Sequence, residues 1–278
     1  MRDVREPIDG GWYPGERAAL KATLDALFDT ASQEHPQGEV VGLVVPHAGY
    51  VYSGRVAACA YGCIRGESYD TVVIVSPSHY HGGGAVLTTR QRAFLTPLGV
   101  VDVDDEVLER IDAGLSGRLG EAVVEVYDTV EHAVELQLPF LQYALEGFRM
   151  VPLMVYEQTV EVALALGASI AEAVWGQKAL LVASSDLSHY YPLAVAERYD
   201  RQMLARIRSM DPRAVVVAES EGVGYACGRA AVAAVLEAAR LLGADGVRLL
   251  AYDTSASATG DRSAVVGYGA AVIVRGTQ

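Results

Sequence analysis

The chain has 278 residues, 51% of them hydrophobic and 21% charged, and this composition excludes an intrinsically disordered protein. The net charge of −13 disfavours nonspecific binding to nucleic acid or to anionic membranes, because both of these surfaces are negatively charged. No apolar run reaches the length of a membrane span and no linker divides residues 1–278, so we expect one cytoplasmic α/β domain that binds neither nucleic acid nor membrane.

The first half of the chain predicts alternating helices and strands, interrupted once. The expected elements are a helix around residues 19–28, a buried strand over residues 40–45, a helix over residues 56–64, a strand over residues 71–75 and a β-hairpin within residues 82–103. Ser53 is a candidate cap for the second of these helices. Asp104 and Asp105 predict the start of a further helix, since acidic side chains suit the positive end of a helix dipole.

The second half continues the alternation. The expected strands are at residues 123–126, 150–156, 180–183, 247–252 and 263–274. The expected helices cover residues 131–145, 160–174 and 194–208, a further helix begins at Asp211, and another ends at residue 242. A turn is expected at residues 190–192. Pro139 should kink the helix over 131–145 or lie at its break. This alternation indicates a mixed sheet built from βαβ-type units.

Histidines follow three of the predicted strands in a chain that has only six histidines. His47 follows the strand over residues 40–45, His79 and His81 follow the next strand, and His189 follows the strand over 180–183. A single histidine in such a place is more often a structural hydrogen-bonding group. Because loops leaving neighbouring strands converge at the carboxyl edge of an α/β sheet, however, the pattern predicts a shared site.

The residue types at these positions are those of a metal site. Neutral imidazole binds iron, zinc or copper, so His47 and His79 could share one ion. Cys227 is the best third candidate, because the start of a predicted helix should lower the pKa of its thiol and favour the thiolate that metals bind. An inert buried cysteine is an equal alternative. Asp186 and Glu131 could bind the ion instead, or could orient the histidines.

Other aromatic and cysteine side chains have simpler interpretations. Cys59 and Cys63 lie four residues apart on one face of a predicted helix and are expected in the core. Trp12 and Tyr13 are also expected to pack on the core, although they could instead form a wall of the pocket. The three cysteines include no Cys-x-x-Cys pair, so no zinc finger or disulfide framework is expected.

Short motifs along the chain occur in an order that is typical of one family. They are Trp12-Tyr13-Pro14, Pro46-His47-Ala48-Gly49-Tyr50, Pro77-Ser78-His79, Glu131-His132 with Glu135, Ser184-Ser185-Asp186 followed by His189, Cys227-Gly228-Arg229, Tyr252-Asp253-Thr254-Ser255 and Val266-Gly267-Tyr268. Together they resemble the Memo family, also called AmmeMemoRadiSam system protein B. The resemblance covers nearly the whole chain.

The resemblance implies a three-layer α/β fold with a mixed, mostly parallel sheet flanked by helices, similar to class III extradiol dioxygenases. Those enzymes cleave catechol rings with a non-haem iron held by two histidines and a glutamate. The metal ligands that the resemblance implies here are His47, His79 and Cys227. His79 is followed by Tyr80 and His81, where some members have two adjacent histidines, and the register with Pro77-Ser78 favours His79 as the ligand.

The resemblance also implies a set of residues that handle protons. His189 matches the acid/base histidine of the dioxygenases, His132 matches a substrate-side histidine, and Asp186 accompanies His189. A mononuclear ion is expected as the cofactor. Iron is favoured, and copper or zinc stays open because a soft thiolate replaces a hard carboxylate. Ring-cleaving activity does not follow from the fold.

Three classes of function remain. The first is a metal-dependent redox enzyme, and the second is an adaptor that binds a peptide or small molecule in the same cleft without catalysis. The third is a serine hydrolase using Ser184 or Ser185 with Asp186 and His189, which the lack of a Gly-x-Ser-x-Gly motif disfavours. The name of the bacterial system implies a radical-SAM enzyme as a functional partner.

Overall fold

A computed structural model of the chain describes residues 3–8, 11–31, 36–80, 82–127 and 130–276. Its strands are β1 (Val4–Arg5), β2 (Glu39–Val45), β3 (Thr71–Pro77), β4 (Val86–Thr89), β5 (Ala93–Thr96), β6 (Gly99–Asp102), β7 (Val124–Val126), β8 (Arg149–Val155), β9 (Ala179–Ser184), β10 (His189–Tyr191), β11 (Gly246–Thr254) and β12 (Val265–Arg275). Its helices are α1 (Arg17–Thr30), α2 (Tyr50–Gly62), α3 (Asp105–Leu119), α4 (Leu138–Ala144), α5 (Val160–Ala173), α6 (Leu193–Arg208), α7 (Pro212–Val217), α8 (Arg229–Leu241) and α9 (Ala256–Thr259). His81 lies outside the described residues.

The main sheet is mixed. Its strand order is β10-β12-β2-β9-β3-β8-β4-β7, and β11 pairs with β12. The four central strands β2, β9, β3 and β8 are parallel, whereas β12 pairs antiparallel with β2 and β4 pairs antiparallel with β8. A smaller sheet contains β1, β5 and β6. The expected mixed α/β architecture is confirmed, with the parallel pairing concentrated at the centre of the sheet.

Continuous apolar runs form the central strands because helices cover both faces of the sheet. All seven residues of β3 are buried, a pattern that requires cover on both sides. The crossovers β2-α2-β3 and β8-α5-β9 run in opposite directions along the strand order, so right-handed connections place α2 and α5 on opposite faces. Helix α8 packs beside α5 and contacts β2, β3, β8 and β9, while α1 and α4 pack on α2. In the described part of the chain, no helix is long and apolar enough to cross a membrane.

Three parallel strands end at one edge of the sheet. Val45 of β2 is in register with Ser184 of β9, and Val75 of β3 is in register with Ala183 of β9. The chain segments that follow these strands therefore leave the sheet side by side. This is the edge at which the histidine pattern predicted a site.

The predicted helix over residues 131–145 is wrong in its first turn. Glu131 and His132 precede a 3-10 helix at Glu135–Gln137, and α4 begins only at Leu138. The side chain of Glu131 accepts a hydrogen bond from the Ala133 N–H at 2.9 Å, which gives the backbone a local alternative to helix. Pro139 lies in the first turn of α4, where its missing N–H breaks no helical hydrogen bond. The prediction that Pro139 lies close to a break in the helix is confirmed.

Two smaller expectations also fail. Ser53 does not cap α2, because the helix begins at Tyr50 behind Gly49 and the Ser53 hydroxyl donates to the Ala48 carbonyl instead. The turn predicted at residues 190–192 is wrong for Tyr190 and Tyr191, which belong to the short strand at residues 189–191. This strand, β10, depends on pairing with β12, which is more than 70 residues away in sequence, so no local pattern predicts it.

Candidate metal centre

Two histidines and one cysteine from three separate loops meet at the carboxyl edge of the sheet. His47, His79 and Cys227 each present one donor atom, and these atoms all lie within 4.8 Å of one another. The Nε2 atom of His47 is 3.2 Å from the Sγ atom of Cys227, and the rings of His47 and His79 meet edge to face with centroids 5.3 Å apart. His47 is buried, whereas the His79 side chain is 29% exposed. The arrangement has one side open to solvent, at His79.

Glu131 holds the ring of His79 in place. The Nδ1 atom of His79 lies 3.0 and 3.1 Å from the two carboxylate oxygens, and the His79 backbone N–H donates to the same group at 2.6 Å. Burial lowers the pKa of His79, but its hydrogen bond to Glu131 and the charge of that carboxylate outweigh burial and raise the pKa. Burial in turn raises the pKa of Glu131, yet the bond to His79 brings it down to about 2. These contacts support the orienting role of Glu131, with Nε2 of His79 left for an ion.

Cys227 lies two residues before the first residue of α8, outside the helix. Its Sγ accepts a hydrogen bond from the backbone N–H of Asp186 at 3.2 Å, and its own N–H donates to the Asp186 carbonyl at 3.2 Å. Burial and the negative charge of Asp186 raise the pKa of the thiol. The expectation that a helix start lowers this pKa is therefore wrong, because burial and the Asp186 carboxylate raise it.

Asp186 ties the loop of His47 to the loop of Cys227. One oxygen of its buried carboxylate accepts the backbone N–H of His47 at 2.8 Å, and its main chain makes both bonds to Cys227. Burial raises the pKa of Asp186, which is the expected response of a carboxyl group inside a protein. Asp186 thereby fixes the separation of two donor residues through backbone bonds.

His132 is stacked between Trp12 and His79. Its ring centroid lies 4.2 Å from Trp12 and 5.1 Å from His79, with interplanar angles of 11° and 13°. Its buried Nδ1 atom has no hydrogen-bond partner among the described residues. Burial and the charge of His47 lower the pKa of His132 to about 4. Trp12 and Tyr13 both pack against the core, as expected. Trp12 also forms a wall beside the cluster, and the Tyr13 hydroxyl donates to Glu135 at 2.6 Å.

His189 lies beyond Asp186 on the same loop, at the start of β10. Its Nδ1 is 2.8 Å from the Leu187 carbonyl, which can only accept, so Nδ1 carries a proton and Nε2 is the nitrogen that can exchange one. In the described part of the chain, no hydrogen bond or ring contact joins His189 to the three donor residues. His189 is therefore a neighbour of the cluster and not one of its donors.

Two buried polar residues that support the site were not identified from the sequence. Asp200 of α6 accepts the Ser188 backbone N–H at 2.9 Å and the Tyr252 hydroxyl at 2.8 Å, which anchors the loop that carries His189. Gln137 makes several hydrogen bonds beneath His47. The available signal was a polar residue inside an otherwise apolar stretch, as at Gln137 between Leu136 and Leu138.

The serine hydrolase interpretation gains no support from the site. Ser184 and Ser185 are both buried, and each hydroxyl donates to a backbone carbonyl, that of Ala133 and that of Asp186 respectively. A nucleophilic serine needs its hydroxyl exposed to substrate and bonded to a base.

We expect the metal-free protein to show acid destabilisation that originates at His47. Burial, together with the charge of His79, lowers the pKa of His47 from 6.5 to about 3. In the unfolded chain His47 therefore binds a proton below pH 6.5, whereas in the folded chain it stays neutral down to about pH 3. Stability from this group is complete above pH 6.5 and is lost as the pH falls toward the folded value, by about 2 kcal/mol between pH 7 and pH 5.

Urea unfolding in the presence of a chelator at several pH values measures this effect, with His47→Asn as the control variant. Asparagine places an amide N–H near the position of Nδ1 but does not titrate. The difference in unfolding free energy between parent and variant should shrink by about 2 kcal/mol between pH 7 and pH 5. Parallel curves would show that His47 is solvated or charged in the folded protein.

Comparison with known proteins shows the family of this chain. The profile of the family described as Memo-like protein matches residues 5–272. A MEMO1 family protein of Methanothermobacter thermautotrophicus is 37% identical, over 95% of this chain and 98% of that protein. A MEMO1 family protein of Methanococcoides burtonii is 39% identical, over 98% of this chain and all of that protein. With matches of this extent and identity, the chain belongs to the Memo family.

Proposed function

We propose that this protein is a metal-dependent redox enzyme that acts on a small molecule through one mononuclear ion. The observation that carries the proposal is the meeting of His47, His79 and Cys227, with their donor atoms all within 4.8 Å of one another. Imidazole and thiolate together suit iron, copper or zinc, and iron is the ion we expect. The ion would be held by Nε2 of each histidine and by Sγ of Cys227.

The residues fit such an ion in ways that go beyond their proximity. The Nδ1 atom of each histidine faces an oxygen, of Ser184 for His47 and of Glu131 for His79, which leaves both Nε2 atoms for coordination. Metal-binding histidines in proteins are generally held in this way. When bound, iron or copper would supply a redox couple and a Lewis acid.

The remaining residues of the site have roles that need no contact with the ion. His189 would exchange a proton with the substrate through Nε2, because its Nδ1–H is bound to the Leu187 carbonyl. Trp12 and His132 form a stacked wall that excludes water from one side of the cluster. Asp186 fixes the spacing between the loops of His47 and Cys227.

Metal uptake is the first test of this proposal. Untagged protein, stripped with a chelator and supplied anaerobically with Fe(II), Cu(I) or Zn(II), should bind about one equivalent, as measured by elemental analysis after gel filtration. His79→Ala should abolish most of this uptake, because it removes one of three donors. A parent protein that takes up no ion, or a His79→Ala variant that binds as the parent does, would contradict the site.

An adaptor function is the second candidate, and exposed aromatic side chains favour it. Tyr80 follows His79 and is 50% exposed, and Tyr190 follows His189 and is 76% exposed. Exposed tyrosines are enriched where proteins bind partners. An adaptor in this cleft would bind its peptide or small molecule equally well with and without the ion, whereas the enzyme requires the ion for turnover.

A further inference from the structure

A chain of buried hydrogen bonds runs from the core to His47. The Tyr61 hydroxyl donates to Oε1 of Gln137 at 2.9 Å, and Nε2 of Gln137 donates to Oγ of Ser184 at 2.8 Å. The same Oγ lies 2.9 Å from Nδ1 of His47. Tyr61, Gln137 and Ser184 have no exposed surface, so water does not compete for these bonds. The chain ends on the nitrogen of His47 that faces away from Cys227.

The Ser184 hydroxyl donates its single proton to the Ala133 carbonyl and not to His47. A hydroxyl group has one proton to donate and two lone pairs that accept. Oγ of Ser184 donates to the Ala133 carbonyl at 2.7 Å and accepts from Gln137, so one lone pair is left for His47. A lone pair binds Nδ1 only when Nδ1 carries a proton. His47 is therefore held as the tautomer with a proton on Nδ1 and none on Nε2.

The orientation of Gln137 is fixed by its surroundings. Its Nε2 faces two further carbonyl oxygens, those of Pro46 at 3.1 Å and of Ala133 at 3.4 Å. Carbonyl oxygens only accept, so a flipped amide would bring oxygen against oxygen at both positions. Tyr61 donates to the other end of the amide. Of the three acceptors around Nε2, Oγ of Ser184 is nearest at 2.8 Å, so one of the two amide protons points to Ser184 and the other is shared by the Pro46 and Ala133 carbonyls. This bond from Gln137 keeps the Ser184 proton on Ala133.

We propose that Tyr61, Gln137 and Ser184 form a tautomer relay that holds the proton of His47 on Nδ1 and so makes Nε2 the metal-binding atom. Free imidazole prefers its proton on Nε2, and here Sγ of Cys227 lies 3.2 Å from Nε2, ready to accept it. Without the relay, Nε2 would spend much of its time protonated toward Cys227. The relay then sets metal affinity from a distance, through residues that never contact the ion. This inference rests on the proposed metal site.

The relay is a neutral counterpart of the contact at His79. There the acceptor for Nδ1 is the carboxylate of Glu131, which fixes the tautomer by its charge alone. At His47 the acceptor is a hydroxyl, which could donate or accept, and only the bonds to Ala133 and Gln137 remove that choice. The two histidines therefore reach the same tautomer by different means, and only His47 depends on a relay.

The test has a spectroscopic arm and a metal arm. Long-range ¹H–¹⁵N correlation spectra of the metal-free parent report which nitrogen of His47 carries the proton, and we expect Nδ1 alone. In Ser184→Ala the proton should move to Nε2 in a large fraction of molecules, and the affinity for Zn²⁺, measured by chelator competition, should fall by about 10- to 100-fold. Gln137→Met, which frees the Ser184 lone pairs but keeps its hydroxyl, should give the same changes to a smaller extent.

Ser76→Ala is the matched control. Ser76 is a fully buried serine near the end of β3, and its hydroxyl bonds only to the neighbouring Pro77 carbonyl among the contacts in the described structure. This variant should leave both the tautomer and the Zn²⁺ affinity unchanged, so a purely structural effect of losing a buried hydroxyl is separated from the relay.

Two results would overturn the relay, and a third would overturn only the metal function. A proton on Nε2 of His47 in the parent would overturn the relay outright, even if Ser184→Ala failed to fold. So would a Ser184→Ala protein that keeps Nδ1 protonated and binds Zn²⁺ as the parent does. A parent that binds no Zn²⁺ but shows the expected tautomer, lost in Ser184→Ala, would refute the proposed metal function and leave the hydrogen-bond relay standing.

Discussion

Replacing Cys227 with serine should lower the affinity for Zn²⁺ or Fe²⁺ by more than about 100-fold, beyond what loss of an orienting residue costs. The thiolate is the one anionic donor of the site, and a serine hydroxyl does not ionise at neutral pH to replace it. The thiol accepts a hydrogen bond from the Asp186 N–H, and a serine hydroxyl can accept it too. The free energy of unfolding of the metal-free protein should therefore change by less than about 1 kcal/mol.

Cys59→Ala is the matched control for this variant. Cys59 is buried in α2, and its Sγ contacts the Arg55 carbonyl at 3.4 Å, so removing it deletes a thiol but no candidate donor. Chelator competition should give the parent affinity for Cys59→Ala and a greatly weakened one for Cys227→Ser. An unchanged affinity in Cys227→Ser would remove Cys227 from the donor set and make Asp186 or Glu131 the next candidate.

The central fold could be predicted because its strands carry their own signal. The strands β2, β3 and β9 are covered on both faces, so they appear in the sequence as continuous apolar runs of the right length. β1 and β10 gave no such signal. β1 has two residues and exists because it pairs with β5, and β10 exists because it pairs with β12, so both depend on partners distant in sequence.

The candidate site, like the fold, could be predicted only in part. His47 and His79 could be placed together because they follow parallel strands, and that rule needs only the strand positions. The relay through Gln137 could not be predicted, since its three bonds, Tyr61–Gln137, Gln137–Ser184 and Ser184–His47, join residues that are 76, 47 and 137 positions apart in the sequence. The pKa of Cys227 was predicted with the wrong sign for a related reason: burial and the charge of Asp186 are properties of the assembled loops and are absent from the local sequence.

Gly228 is the position where a single methyl group should damage both the fold and the site. A Cβ atom there would lie 2.7 Å from the Ser184 carbonyl oxygen, 3.0 Å from Cβ of Ser185 and 3.1 Å from Cδ of Pro77. The backbone of Gly228, with φ −105° and ψ 37°, is open to alanine, so the obstacle is space and not conformation. The Ser184 carbonyl belongs to β9 and cannot move away without disturbing the sheet. The loop that carries Cys227 must move instead.

Gly228→Ala should therefore lower the free energy of unfolding of the metal-free protein by about 2–3 kcal/mol, the usual cost of overpacking. Because Cys227 is the preceding residue, the affinity for Zn²⁺ should fall as well, by about 10- to 100-fold. Gly117→Ala is the control, since Gly117 is exposed in α3 with open space around it, and alanine there should stabilise the helix by up to about 1 kcal/mol. Urea unfolding and chelator competition measure the two effects. If Gly228→Ala unfolds more easily but binds Zn²⁺ as the parent does, the position of Cys227 does not control the ion, and the donor set proposed here is wrong.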